Sequence, residues 1–259
     1  MLHKTTLKTN GIVLRTTDYL ESDRIVVLLT EDAGKITGIA KGARKSRIRF
    51  ANVLEPFSHL SLVLSQKKGN RMAFIEEAAT IHHYPAIRAN LEKTLTASYF
   101  MELMEQFLWE EKSGTHIFQL ACEYLALMEE NHEGKSFVRF FELRFLQLLG
   151  YEPVLDRCTI CASPLQSSSS YGFSPSAGGI QCPGCIEQRR TADIIPASVG
   201  AIRTLLLGKN SPPLLMERII MTEQCACECR LLLCGFIRHL LGKELKSLSV
   251  LHEIQKMNL

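Results

Sequence analysis

The 259-residue sequence contains no window close to eighteen consecutive apolar residues, so no segment reads as spanning a membrane. Its first residues, Met1 to Lys8, lack the apolar core of a secretory signal, and the expected compartment is the cytoplasm. Catalytic constellations are missing too. Ser22-Asp23 and His82-His83 have no partners at motif spacing, and the histidine pair reads as a linker after the last predicted strand. Nor is there a phosphate-cradling P-loop: Gly42 is followed by Ala43-Arg44-Lys45-Ser46, whereas that motif needs Gly-Lys-Ser/Thr after four spacer residues. Neither nucleotide hydrolysis nor any other enzymatic turnover is expected. No repeat occurs beyond two Cys-x2-Cys pairs.

Acidic residues are absent between Asp32 and Glu55, and this gap holds the most charged stretch of the chain. Lys41, Arg44, Lys45, Arg47 and Arg49 place five cations in nine residues, ending on Phe50. Such a run repels itself and needs solvent or a polyanion beside it. Residues 1–80 carry 13 basic and 8 acidic side chains, residues 81–150 carry 6 and 10, and residues 151–259 carry 11 and 9. The basic excess of the first third is a statement about partners. Two readings stand: a solvated surface, or a nucleic-acid contact in which cations track phosphates while Phe50 stacks on bases. Five cations each neutralising one phosphate would give a single-strand salt slope of about −3.5. Asp18, Glu21 and Asp23 form an acidic cluster nearby, either solvated or repelling nucleic acid from that face.

The hydrophobic fraction of 46% and charged fraction of 22% are those of a globular chain. Short β-branched or leucine-rich runs at Gly11–Leu14, Arg24–Thr30, Lys35–Ala40, Phe57–Leu64 and Arg71–Ile75 predict five strands, with turns at 31–34 and 66–70. His59, Ser61 and Ser65 alternate with Leu60, Leu62 and Leu64, the pattern of a half-buried strand. Five antiparallel strands in this length suggest a small barrel, an OB-fold or an SH3-like one. After Tyr84-Pro85 the apolar period becomes helical. Helices are predicted from Leu91 to Leu108, from Ile117 to Met128, and over 137–149, the last apolar on most of its circumference and capped by Gly150. Residues 197–207 and roughly 214–245 are also predicted helical, separated by Ser211-Pro212-Pro213.

Between these helices lies Cys158-x2-Cys161-x20-Cys182-x2-Cys185. A two-residue gap lets both thiolates of a pair face one ion, and two pairs complete a tetrahedral zinc site. Chance pairs and a redox site are the alternatives. All four ligands are sulfur, so a bound Zn2+ would be structural. It would tie down a polar segment too poor in apolar residues to make its own core. Cys225, Cys227, Cys229 and Cys234 lie in a leucine-rich helical stretch and read as small core residues, with a second metal the alternative. Nine cysteines in a reducing compartment do not argue for disulfides.

Several runs resemble the RecO family of bacterial recombination-mediator proteins. They are Gly11-Ile-Val-Leu, Asp18 with Glu21-Ser-Asp, Leu28-Leu-Thr, Gly34-Lys35, Ala40-Lys-Gly-Ala-Arg-Lys-Ser and Leu54-Glu-Pro-Phe. The likeness continues through Phe141-Glu-Leu-Arg-Phe-Leu-Gln-Leu-Leu-Gly-Tyr-Glu-Pro and Cys158-x2-Cys161 to Leu240-Leu-Gly-Lys-Glu-Leu-Lys-Ser-Leu, and so covers nearly the whole chain. The resemblance implies an α+β architecture. An N-terminal five-stranded OB-fold barrel (1–80) is followed by an α-helical domain (81–157 and 191–259) with an inserted four-cysteine zinc knuckle (158–190). It implies binding of single- and double-stranded DNA, strand annealing, association with RecR and with the C-terminal tail of single-stranded DNA-binding protein, and help in loading RecA. Nucleoid association would follow. The family's basic barrel positions correspond to Lys35, Lys41, Arg44, Lys45, Arg47 and Arg49. Two rival readings remain: a protein-interaction adaptor whose basic loop takes an acidic partner tail, and an RNA-binding zinc-ribbon protein.

Overall fold

A computed structural model describes residues 4–67, 72–109, 114–132, 134–167, 170–189, 193–212 and 219–257. The predicted turn residues 68–70, the strand start at Arg71, and Pro213 lie outside them. The chain divides into two compact units, residues 1–130 with 245–259, and residues 131–244.

The first unit is built on five strands: β1 Lys4–Tyr19, β2 Asp23–Thr30, β3 Gly34–Ala40, β4 His59–Lys67 and β5 Ala73–His82. They close into a barrel in the order β1-β2-β3-β5-β4, with β1 pairing again with β4. β1 is far longer than its apolar core Gly11–Leu14 predicts. Its first half pairs with β4 and its second half with β2, so the threonine-rich flanks become strand because each has a partner strand for its backbone groups. β3 meets β5 in parallel through Gly38 and Ile39, which closes the barrel. This five-strand closed barrel is OB-like.

Leu60, Leu62 and Leu64 point into the barrel beside Val13, Val26, Leu28 and Ile75. Ser65 breaks the predicted alternation: it is buried and donates to Glu76 at 2.5 Å, next to a register shift between Val63 and Leu64. His82 is no linker. It ends β5 opposite His59, their rings 5.9 Å apart, with Phe118 edge-on to His59 at 5.5 Å.

Helices α1 Pro85–Ala89, α2 Leu91–Phe107 and α3 Thr115–Glu129 follow. Asn90 caps α2 by accepting from the Lys93 N–H at 3.1 Å. Glu129 accepts from the Ala86 and Ile87 N–H groups and so caps α1. The last helix, α8 Lys246–Met257, packs on α2, where Glu102 accepts from its first two N–H groups.

The second unit centres on α4 Lys135–Leu148, whose Phe140, Phe141, Phe145 and Leu146 are fully buried. Gly150, at φ +80°, ends it as predicted. β6 Tyr171–Ser174, β7 Gly179–Gln181 and β8 Ile195–Ala197 make a small sheet ordered β7-β6-β8, with the short α5 Pro183–Arg189 after β7. α6 Val199–Asn210 and α7 Glu223–Leu241 pack on α4. Of the predicted helix from about 214 to 245, residues 214–218 lie outside the described residues; among those described it begins at Glu223, where Thr222 caps it, and stops at Gly242 in the left-handed conformation. No helix among the described residues is long and apolar enough to cross a membrane.

Candidate nucleic-acid interface and candidate metal centre

The basic stretch is the connection from β3 to β4, and its form follows from which side chains face the core. Ala43, Phe50 and Leu54 are buried in the barrel core, while Arg44, Lys45, Arg47, Ile48 and Arg49 between them are exposed. Successive turns, Ala43 N–H to Ala40 O and Ser46 N–H to Ala43 O, tighten the segment. Ser46 then accepts from the Phe50 N–H at 3.0 Å. The expectation that Phe50 stacks on bases is therefore corrected: the ring is 3% exposed. It is large and apolar, and burying it stabilises more than leaving it in water. Ile48, 94% exposed, and Leu20, 68% exposed, are apolar groups that this region leaves in solvent.

The predicted cations differ in availability. Lys41 Nζ lies 2.6 Å from the buried Asp23 carboxylate, which also accepts from the Gly42 N–H at 2.8 Å. The Gly42 N–H, then Lys41 and Ser22, hold Asp23 at a pKa of about 2. Arg44 faces Asp18 at 3.2 Å and donates to the Leu20 carbonyl at 2.9 Å. Arg49 donates to the Lys41 carbonyl at 2.9 Å and lies over the Phe50 ring at 4.2 Å. Lys35 is turned away from the loop toward the end of α2, where it donates to the Glu105 carbonyl at 2.8 Å. The side chains of Lys45 and Arg47 are exposed and have no partner among the described residues. The acidic cluster is thus neither merely solvated nor simply repulsive, since Asp18 and Asp23 each hold loop cations. Sequence reading missed Arg24, which pairs with Asp18 at 3.2 Å and Glu55 at 3.1 Å. The short turn between β1 and β2 was the signal for it, because a tight hairpin sets Asp18 opposite Arg24.

The four predicted cysteine ligands do converge, with their Sγ atoms all within 4.8 Å of one another. Cys158 and Cys161 flank a turn closed by the Ala162 N–H to Cys158 O bond at 3.0 Å. The second pair opens α5, with the Cys185 N–H donating to Cys182 O. Thr159 N–H to Ile180 O at 2.8 Å lashes the first turn to β7. Gly179 permits that approach, since a Cβ there would stand 2.8 Å from Thr159 Cγ2.

The donors suit a soft tetrahedral ion. A zinc–sulfur distance of about 2.3 Å implies Sγ–Sγ edges of about 3.8 Å, and Cys161 and Cys182 stand 3.7 Å apart. Burial raises the Cys158 thiol, but the Cys161, Cys182 and Ile160 N–H groups outweigh it and hold the pKa below the ordinary value. Ser163 lowers Cys161 to about 6. Its sulfur neighbours, Cys182 first, push Cys185 up to about 12. Four sulfurs this close repel as thiolates unless a cation lies among them, so the cluster could hold a metal ion.

Cys225, Cys227, Cys229 and Cys234 form no such group among the described residues. Cys229 is buried in the core beneath the Ala201 carbonyl, and Cys234 accepts from Arg139 at 3.2 Å.

Two family models match the chain one after the other. The family model "Recombination protein O N terminal" matches residues 2–84, and "Recombination protein O C terminal" matches residues 88–249. The DNA repair protein RecO of Syntrophus aciditrophicus is 47% identical over 256 residues, 99% of each chain. The DNA repair protein RecO of Dehalococcoides mccartyi is 34% identical over 97% of each chain. That of Geobacter metallireducens is 34% identical over 96% of this chain and 98% of its own. With both family models matched in chain order and relatives of this identity aligned end to end, the chain belongs to the RecO family.

Proposed function

We propose that this protein is a non-enzymatic DNA-binding mediator of recombinational repair. It binds single- and double-stranded DNA, anneals complementary strands, and with RecR helps load RecA onto strands coated by single-stranded DNA-binding protein, whose C-terminal tail it engages. Family membership and the relatives' name, DNA repair protein, support the repair role. The observation that carries DNA contact is the exposure of Lys45 and Arg47, without side-chain partners among the described residues, on a loop bonded to the β1–β2 turn of an OB-like barrel. That turn is one of the loops by which OB-folds hold oligonucleotides.

Lys45 and Arg47 lead the contact. Lys41, Arg44 and Arg49 follow once their internal partners exchange for phosphate, and Lys35, bonded to Glu105, is the least available. Exposed cations on a loop hold phosphates and do not read bases. Residues 1–80 then serve as the DNA-binding domain, residues 81–157 and 191–259 as the helical body that meets protein partners, and residues 158–190 as a zinc-binding insertion. Cys158, Cys161, Cys182 and Cys185 would hold Zn2+ structurally, since an all-sulfur set leaves no open position. The protein acts in the cytoplasm, associated with the nucleoid.

The test is salt-dependent binding of a labelled single-stranded oligonucleotide, with strand annealing measured in parallel. Replacing Lys45 and Arg47 by Gln removes two phosphate contacts, so the slope should become shallower by about 1.4. Annealing should fall with it. An unchanged slope in a folded double variant sinks the assignment. Binding of an acidic peptide in place of DNA favours the adaptor reading.

A further inference from the structure

We propose that Arg24 and Arg44 form a binding site for one phosphate of the nucleic-acid backbone, and that Asp18 fills it in the free protein as an internal competitor. The inference rests on the DNA-binding reading above and adds to it a residue, Arg24, and a way of limiting affinity.

Three elements build the site. Asp18 near the end of β1 stands directly opposite Arg24 near the start of β2, and Arg44 arrives from the loop after β3. Asp18 Oδ1 accepts from Arg24 Nε at 3.2 Å, and Asp18 Oδ2 faces Arg44 Nε at 3.2 Å. One carboxylate therefore bridges two guanidinium groups, one at each oxygen.

Both guanidiniums are fixed by other contacts. Arg24 Nη1 donates to Glu55 at 3.1 Å. Arg44 Nη1 donates at 2.9 Å to the carbonyl of Leu20, which lies in the left-handed region at φ 52°. The Arg44 main-chain N–H also donates to the Ser22 carbonyl at 2.9 Å, tying the start of the basic loop to the same turn. Two planar, permanently charged forks are thus held in place and share one two-oxygen anion. Guanidinium groups so arranged match phosphate as well as carboxylate.

The internal anion is weakly held. Asp18 is 54% exposed at its side chain, and exposed ion pairs of this kind contribute little. A backbone phosphate can take the two Nε donors while Asp18 turns into water. Lys45 follows Arg44 in the chain, so a strand tracked by Lys45 and Arg47 passes this site. In the free protein Arg24 and Arg44 are balanced by Asp18 and Glu55. Every phosphate that enters must displace a like charge, which lowers affinity and gives a bound strand a competitor to leave against.

The experiment measures binding of a fluorescein-labelled oligothymidylate to the full-length protein by anisotropy, from about 50 to 200 mM salt. Wild type, Asp18→Asn, Arg24→Gln and the double variant are compared. Asp18→Asn keeps the side-chain shape and removes the competing charge. It should bind about two- to fivefold tighter at low salt, with a slope about 0.7 steeper. Arg24→Gln should weaken binding and, in the double variant, abolish the gain. Because Arg24→Gln also strips Glu55 of a partner, the isosteric Asp18→Asn decides, with its unfolding midpoint as the control for folding. Binding equal to or weaker than wild type in folded Asp18→Asn overturns the phosphate site. If that happens while the Lys45 and Arg47 substitutions still flatten the slope, DNA binding stands and only this site fails. Salt-independent wild-type binding overturns both.

Discussion

The Asp23 carboxylate, buried at the start of β2, takes the Lys41 ammonium at 2.6 Å and the Gly42 N–H at 2.8 Å. The first cation of the basic loop is therefore also its anchor. Because Asp23 is held at about 2, below the ordinary 3.8, its contribution to stability is complete above the ordinary value. It is lost as the pH falls through about 2. Asp23→Asn should lower the denaturant midpoint at neutral pH, and the gap from wild type should close between about pH 4 and pH 2. A gap that persists at pH 2 would show that the carboxylate's charge is not what anchors the loop.

Phe50 gives a prediction opposite to the one its place in a basic run suggests. It is buried with Leu54 and Leu60 in the barrel core. Phe50→Ala should cost about 3–5 kcal/mol of stability, read by denaturant titration. Phe50→Leu, which keeps most of the apolar volume, should leave oligonucleotide affinity within about twofold of wild type. A large loss of affinity in folded Phe50→Leu would restore a stacking role to the ring.

The contrast between Phe50 and its neighbours shows what was legible in the sequence. Leucines alternating with serines marked the barrel wall, and the spacing of Cys158, Cys161, Cys182 and Cys185 marked the cysteine cluster, because both patterns are local. The charge run was legible too, but not how its charges are spent. Whether Lys41 faces solvent or Asp23 depends on a strand pairing that brings residues eighteen apart together. The length of β1 was missed for the same reason: threonine and lysine at its start become strand only because β4 lies alongside.

Close packing between α6 and α4 gives a prediction for the second unit. A Cβ at Gly208 would fall 1.9 Å from the Phe140 ring, and Phe140 is fully buried in the middle of α4. Gly208→Ala, which in an exposed helix would stabilise, should instead destabilise by about 1–3 kcal/mol through overpacking. The double variant Gly208→Ala, Phe140→Leu should recover part of that loss. If the single variant is as stable as wild type, the helices stand further apart than described.

Metal removal tests the cysteine cluster directly. Cys161 is the exposed residue of the four, its Sγ 3.7 Å from that of Cys182, so replacing it disturbs the core less than replacing buried Cys158 or Cys185 would. The purified protein under reducing conditions should contain one equivalent of zinc, measured by elemental analysis, and Cys161→Ser should lose most of it. Apparent binding energies of structural zinc sites are on the order of 10–16 kcal/mol, so a strong chelator should lower the unfolding midpoint of wild type markedly. The Thr159 amide, which donates to Ile180 O, should lose hydrogen-exchange protection first, because that bond joins the first cysteine turn to β7. The barrel core should keep its protection, since its packing involves none of the four ligands. Zinc-free protein with an unchanged midpoint would leave the four cysteines without a structural metal.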